Sequence, residues 1–525
     1  VNRDTAINAI ESRQRPYDML VIGGGATGAG IALDAASRQL DVLLLEGSDF
    51  GAGTSSRSTK IIHGGVRYLP QGRIGLVREA LRERKILLRN APHIVRPLAF
   101  VVPIENAWER AKYYAGLKLY DLLAGGDSLD ACSWVPQREL ARTLTGVDSA
   151  RLSGAMRYFD GQFDDTRLLI DILATAVAHG ATVLNYAPVI GFLKDPGDQV
   201  RGVTCRDTET GRSYEIEARI VVNATGPASD GLLRLDNSAR DNTIMPSQGA
   251  HIVVDKSFLP GDDALLMPRT PDGRVMFAIP WLGHVLIGTT DTPVSGDPDE
   301  PVPLREEINL ILETAGRYLT RTPGRDDILS TFAGIRPLVR APGAASTAQV
   351  SREHRIDVLP SGLLSISGGK WTTYRLMAEQ CVDTAARQAG WDIDASPTAS
   401  LPLNPPENGR GDSLRYACYG GDATELLRLE RTTPGLDERL VRALDYRRVE
   451  CLWAIRHEMA RRIEDILARR TRALFLNAAA ACEAAPVVAQ MLADELDLDE
   501  HTISEQMKSF TRLTSDYLAA DTRED

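Results

Sequence analysis

Two stretches of the chain put reactive side chains where bulk solvation does not suit them. In FAGIRPLV, Arg336 stands between an apolar run and Pro337. In GAHIVV, His251 stands inside an apolar strand. A guanidinium fork grips the oxygens of a phosphate or carboxylate in pairs. An imidazole exchanges protons near neutral pH. The plain readings are a structural ion pair and a satisfied core histidine, and these residues alone leave both open. Arg352 in VSREH, Arg67 with Tyr68 beside it, and Lys370 after the glycine pair of SISGGK are further candidates. His457-Glu458 begins like a zinc-protease helix, but Arg461 occupies the position of the second histidine. No metal site is expected, and the stretch reads as a charged helix face.

Such side chains need a frame, and the frame is legible near the N-terminus. Met19–Ile22 is apolar and ends abruptly in GGGATGAG. Gly23, Gly25 and Gly28 fit G-x-G-x-x-G; helix formers follow to Arg38, then DVLLLE, a second apolar run ending at Glu46. In a β-α-β unit the first glycine makes the turn, the second admits a pyrophosphate, and the third lets helix and strand touch. The helix N-terminus offers free N–H groups to the anion. Glu46 falls where an acid receives a ribose hydroxyl. A nucleotide-triphosphate loop is excluded, because no Lys-Ser or Lys-Thr closes the cluster.

The fingerprint does not choose between FAD and NAD. Three other junctions bear on the choice. Thr54, Ser55 and Ser56 lead through a polar stretch to His63, Gly64 and Gly65; Ala224 and Gly226 end the strand IVVNATGP; Gly368 and Gly369 precede Lys370, Thr372 and a helix. Junctions so far apart in sequence suggest one extended ligand touched at several places. A second helix N-terminus aimed at an electron-rich ring suits a flavin.

These motifs resemble the FAD-dependent, respiratory glycerol-3-phosphate dehydrogenase family. The stretches that carry the likeness are VIGGGATGAGIALDAASR, VLLLE, TSSRSTKIIHGGVRYL, IVVNATGP, IPWLGHVLIGTTD, FAGIRPLV and SISGGKWTTYRLMAE, most of residues 17–380. The resemblance implies oxidation of sn-glycerol 3-phosphate to dihydroxyacetone phosphate by hydride transfer to FAD, with a quinone as acceptor. It implies that Arg67, Tyr68, Arg336 and Arg352 line the substrate pocket, that His251 is the base, and that Lys370 assists at the flavin or the hydroxyl. The alternatives are a glycerol-3-phosphate oxidase using oxygen and an FAD amine or amino-acid oxidase; a non-catalytic FAD-binding protein is the remaining class. One departure stands out: VRAPGAASTAQ, after GIRPL, is small and apolar where acidic residues are the family habit.

The expected fold is α/β, with a Rossmann-like FAD-binding domain, an antiparallel β substrate domain and a C-terminal α-helical domain. The oxidoreductase domain is read over 15–392, with FAD-binding segments at about 17–85, 165–250 and 355–392. Its β-rich segments are about 90–164 and 250–354. The Pro/Gly/Asn-rich stretch 393–413 reads as a linker, and 414–520 has helical periodicity. At 525 residues two or three domains are expected. The net charge of −11 argues against nucleic acid as a partner. Six scattered cysteines without a CxxC pair read as reduced thiols. No signal peptide or membrane-spanning run is visible, so a cytoplasmic protein is expected, peripheral on the inner face of the cell membrane, with a homodimer left open. The membrane reading rests on WERAKYYAGLKLYDLLA (108–124), where Trp108, Ala111, Ala115, Leu119 and Leu122 share a helix face beside Arg110, Lys112 and Lys118. The competing reading packs that stripe on the enzyme.

Overall fold

The computed structural model describes residues 1–125, 129–271, 273–295, 300–340, 353–405 and 415–519. The apolar strand Tyr17–Ile22 is central to a parallel sheet. Val42–Leu45 and then Thr182–Leu184 lie on one side, Ser213–Asn223 and then Leu364–Gly368 on the other. His354–Val358 closes the edge antiparallel. Both faces of these strands are covered, which is why they read as unbroken apolar runs. The helix Ala26–Ser37 lies close because of its glycines. A Cβ on Gly28 would collide with the Gly23 carbonyl, and one on Gly30 would sit 2.8 Å from the Tyr374 ring of the helix Tyr374–Ala389.

Among the described residues the second sheet has ten strands. Its long pair is Ile244–Asp255 against Ile328–Val339, antiparallel, with Ser247 opposite Arg336, Gly249 opposite Gly334 and His251 opposite Phe332. His284–Gly288, Met276–Trp281 and Ala264–Met267 follow in antiparallel order; Ala264–Met267 then meets Arg96–Ile104 in a parallel pair. Side chains alternate between the two faces. Ala250, Ile252 and Val254 join Ile308 and Ile311 of the helix Arg305–Gly316 in one core. Val253 and Phe332 join the C-terminal helices in another. His251 and Arg336 lie on this second face.

The chain end contributes the helices Ala423–Thr432, Arg448–His457, Ala473–Leu476, Ala478–Leu496 and Glu500–Tyr517, with a wider helical turn at Asp465–Arg470. The charged-face reading of His457-Glu458 is corrected here. Glu458 is buried and accepts from Arg167 at 2.7 Å; a carboxylate this deep needs its partner. The loop VRAPGAASTAQ lies outside the described residues beyond Arg340.

Candidate active site

The glycine cluster forms a cradle of backbone. Gly23 has φ +112 and donates to Leu45 O at 2.8 Å, and a Cβ on it would lie 2.6 Å from Ala224 O. Gly25 caps the helix Ala26–Ser37. Ser55 Oγ accepts from Ala26 N–H at 2.9 Å, so a hydroxyl already meets the helix N-terminus. The Glu46 carboxylate accepts from Gly24 N–H at 2.6 Å and Ser48 N–H at 2.8 Å. Burial pushes its carboxyl up, and those two N–H groups pull it back. At the end of the neighbouring strand Gly226 turns with φ +58 and has open space where a Cβ would be. A backbone cradle at a helix N-terminus, an acid at the next strand end and room beside Gly226 fit an FAD pyrophosphate and ribose.

The stretch 54–65 runs from this cradle to the second sheet. Thr54 Oγ1 donates to Ile335 O at 2.5 Å, and Ser55 O accepts from Trp371 Nε1 at 2.9 Å. The Ser56 hydroxyl is buried and turned to Gly53 O at 3.4 Å. His63 N–H donates to Thr372 Oγ1 at 3.3 Å, and Gly64 N–H to Asp160 Oδ1 at 3.2 Å. Gly65 has φ +80, and a Cβ there would press the Tyr68 ring at 2.6 Å. Gly369 has φ +82 and lies against Met377 Sδ. Lys370 Nζ sits 4.4 Å from the centre of the buried Tyr68 ring, a cation–π contact. The structure thus brings the 54–65 stretch and the 369–372 junction together, as one extended ligand requires.

His251 is buried, stacked on Phe332 at 4.8 Å between ring centres, with Nε2 3.0 Å from Thr59 Oγ1. Burial, then the charges of Arg336 and Lys60, hold its pKa well below the usual histidine value. The ring is therefore neutral at neutral pH, the state a base needs. Four residues along the same face, Arg336 donates to Thr289 Oγ1 at 3.0 Å and to Thr290 O at 2.9 Å, and pairs with Asp291 at 3.2 Å. Gly249 makes room for it: a Cβ there would strike the guanidinium. Arg274 pairs with the other Asp291 oxygen at 2.9 Å, and Ser247 Oγ donates to Asp291 as well. Asp291 thus bridges two arginines, and both guanidinium side chains are partly exposed.

Arg352 and the side chain of Arg67 lie outside the described residues. Thr59, Asp165, Arg274 and Asp291 escaped the sequence reading. Thr59 and Asp291 sit inside stretches that carried the family likeness, TSSRSTK and IGTTD, so their signal was present but not separable from their neighbours'.

Comparison with known proteins accords with this geometry. Residues 18–381 match the family model described as FAD dependent oxidoreductase, and 414–503 match the C-terminal domain of alpha-glycerophosphate oxidase. The mitochondrial glycerol-3-phosphate dehydrogenase of Macaca fascicularis is 39% identical over 94% of this chain and 72% of its own length. That of Schizosaccharomyces pombe is 36% identical over 95% and 87%. The crystal structure of the glycerol-3-phosphate dehydrogenase from Bacillus halodurans, complexed with FAD, superposes with a TM-score of 0.81 at 30% identity, over 99% of both chains. L-amino acid deaminase from Proteus myxofaciens, at 16% identity and a TM-score of 0.54, shares the fold alone. With likeness of this extent at both levels, the chain belongs to the FAD-dependent glycerol-3-phosphate dehydrogenase family, as an FAD-dependent oxidoreductase.

Proposed function

We propose that this family member oxidises the secondary alcohol of sn-glycerol 3-phosphate to dihydroxyacetone phosphate, with His251 as base and Arg336 at the phosphate, and delivers the electrons to a membrane quinone. The observation that carries the reading is the placement of a neutral imidazole and a partly exposed arginine on one sheet face. Bound FAD would accept the hydride from the alcohol carbon. Gly23, Gly25, Gly28, Glu46 and the 54–65 stretch would hold it. His251 Nε2 lies 3.0 Å from the Thr59 hydroxyl, which orients the ring, and the imidazole is the group to which we assign the substrate proton. Arg336 and Arg274 attract the phosphate, with Asp291 setting their geometry. Arg67, Tyr68 and Arg352 are further substrate contacts on sequence grounds, and Lys370, over Tyr68, orients the hydroxyl.

The acceptor reading is supported by the helix Ala107–Ala124. Its buried residues are Leu117, Tyr120 and Ala124. Trp108, Ala111, Ala115, Leu119 and Leu122 lie on the opposite side and are all exposed, Trp108 by 78% and Leu122 by 75%. The apolar stripe is therefore not the face that packs on the body. Lys118 lies 5.6 Å from the Tyr114 ring centre, and Arg110 lies 4.2 Å from that of Trp134. Aromatic bodies beside cations suit a lipid interface. No helix among the described residues is long and apolar enough to cross a membrane, so the contact we propose is peripheral. The test is turnover of glycerol 3-phosphate with a short-chain quinone, following dihydroxyacetone phosphate and oxygen together. Product formed with quinone and little oxygen consumed supports the reading. Oxygen uptake matching product without quinone would make the protein an oxidase.

A further inference from the structure

The 54–60 stretch joins the nucleotide cradle to the candidate base, and both of its flanks are held by the C-terminal helices. Ser55 meets the helix N-terminus at one end and Thr59 meets His251 at the other. Between them, Ser56 O accepts from Arg472 Nη2 at 2.6 Å and from Lys60 Nζ at 2.7 Å. Arg472 also donates to Thr166 Oγ1 at 2.7 Å and lies 3.3 Å from Asp165. Asp165 in turn accepts from Ser58 Oγ at 2.7 Å and Lys60 Nζ at 2.6 Å. A second arm holds Arg57. It forms a two-pronged pair with Glu300 at 2.8 and 2.7 Å, and Glu300 accepts from the Tyr517 hydroxyl at 3.0 Å. A third link is aromatic: Tyr517 packs on Phe475 at 5.4 Å, Phe475 on Phe332 at 4.7 Å, and Phe332 on His251 at 4.8 Å.

Two features mark these contacts as more than incidental packing. Arg472 holds a left-handed backbone with φ +64, a conformation that a non-glycine residue adopts only at a cost, while its buried side chain reaches the loop. The loop itself rests on bare backbone: at Gly334 a Cβ would lie 2.9 Å from both Cβ and O of Arg57. A loop pressed this closely against a strand has little freedom, provided that its far side is also fixed.

We propose that Arg472, directly, and Tyr517, through Glu300, are positioning residues that make the C-terminal helices part of the flavin site, fixing residues 54–60 so that FAD is retained and Thr59 stays against His251. This rests on the His251 reading above. Lys60 supports it: burial and the Arg472 charge bring its pKa down to about 7, so the cluster under the loop is not held by Lys60 charge alone.

The test compares holoenzyme variants Arg472→Met, Arg472→Lys and Tyr517→Phe with Leu426→Ala. Leu426 is buried in a separate C-terminal core away from the loop, so its truncation controls for lost stability. FAD release is followed by the rise of free-flavin fluorescence, without substrate. The pH profile of anaerobic flavin reduction is followed separately. Losing a charge-assisted contact is worth roughly tenfold or more. Arg472→Met is expected to release FAD about tenfold faster and to shift the histidine limb of the profile, Arg472→Lys to recover part of this, and Tyr517→Phe to release FAD a few-fold faster. Leu426→Ala should release FAD at the wild-type rate despite a lower Tm. If Arg472→Met does not fold, the milder Tyr517→Phe decides. Wild-type release in the folded variants, or equal acceleration in Leu426→Ala, overturns the proposal. Because FAD release needs no substrate, a failure of the glycerol 3-phosphate reading appears elsewhere, as a wild-type flavin that the substrate does not reduce.

Discussion

Arg336 and Asp291 pair at 3.2 Å, and the same carboxylate holds Arg274 at 2.9 Å. The carboxylate thus aims both guanidinium groups, and Arg336 is the one that we propose grips the substrate phosphate. Arg336→Ala should lower kcat/KM for glycerol 3-phosphate about ten- to a hundredfold, from the loss of one charge-assisted contact worth about 1.5–3 kcal/mol. Arg336→Lys should recover only part, since an ammonium lacks the planar fork that spans Thr289, Thr290 and Asp291. Unchanged kcat/KM in the alanine variant would remove Arg336 from the substrate site.

Gly25 opens toward the cradle, where an added Cβ would sit 2.9 Å from Ser55 Oγ. Gly25→Val is expected to yield folded protein without yellow colour. Flavin absorbance per mole of chain measures this; a stoichiometric holoenzyme would place the pyrophosphate elsewhere.

His251→Asn should keep FAD yet slow its reduction by about 10²–10⁴. The same variant has a stability signature. The folded state holds the His251 pKa below its unfolded value of about 6.5. Below that pH the unfolded chain binds a proton that the folded site resists. Wild type should therefore lose stability as pH falls from about 6.5, by up to about 1.4 kcal/mol per pH unit relative to His251→Asn. Urea unfolding of both proteins at pH 7 and pH 5 reads the difference. A gap that does not change with pH would mean that the imidazole is not held neutral.

The cradle was legible because its parts are neighbours in sequence: Gly23, Gly25, Gly28 and Glu46 fall within one β-α-β unit whose spacing is fixed by its geometry. What stayed hidden depends on distant partners. Arg472 is 416 residues from the Ser56 carbonyl that it holds, and no local pattern announces such a contact. Asp291 read as part of IGTTD, with nothing to say that two arginines converge on it. Periodicity found the stripe on the helix Ala107–Ala124 but could not say which side faces out, because a 3.6-residue repeat fixes relative, not absolute, orientation.

That outward stripe gives a further expectation. Wild type should sediment with anionic vesicles, and high salt should weaken the association only in part, since apolar burial survives charge screening. Trp108→Ser/Leu119→Ser/Leu122→Ser should stay in the supernatant while its flavin is still reduced by substrate. A wild type that never sediments would leave the stripe without a lipid role and favour a soluble acceptor.

On the proposed function, glycerol 3-phosphate itself reduces the FAD held by this chain. This is tested most directly by adding the substrate, without oxygen, to the purified yellow holoenzyme and recording the flavin absorbance. The flavin is expected to bleach with dihydroxyacetone phosphate formed in proportion, and to bleach far more slowly in His251→Asn. A holoenzyme whose spectrum stays oxidised under excess glycerol 3-phosphate would contradict it.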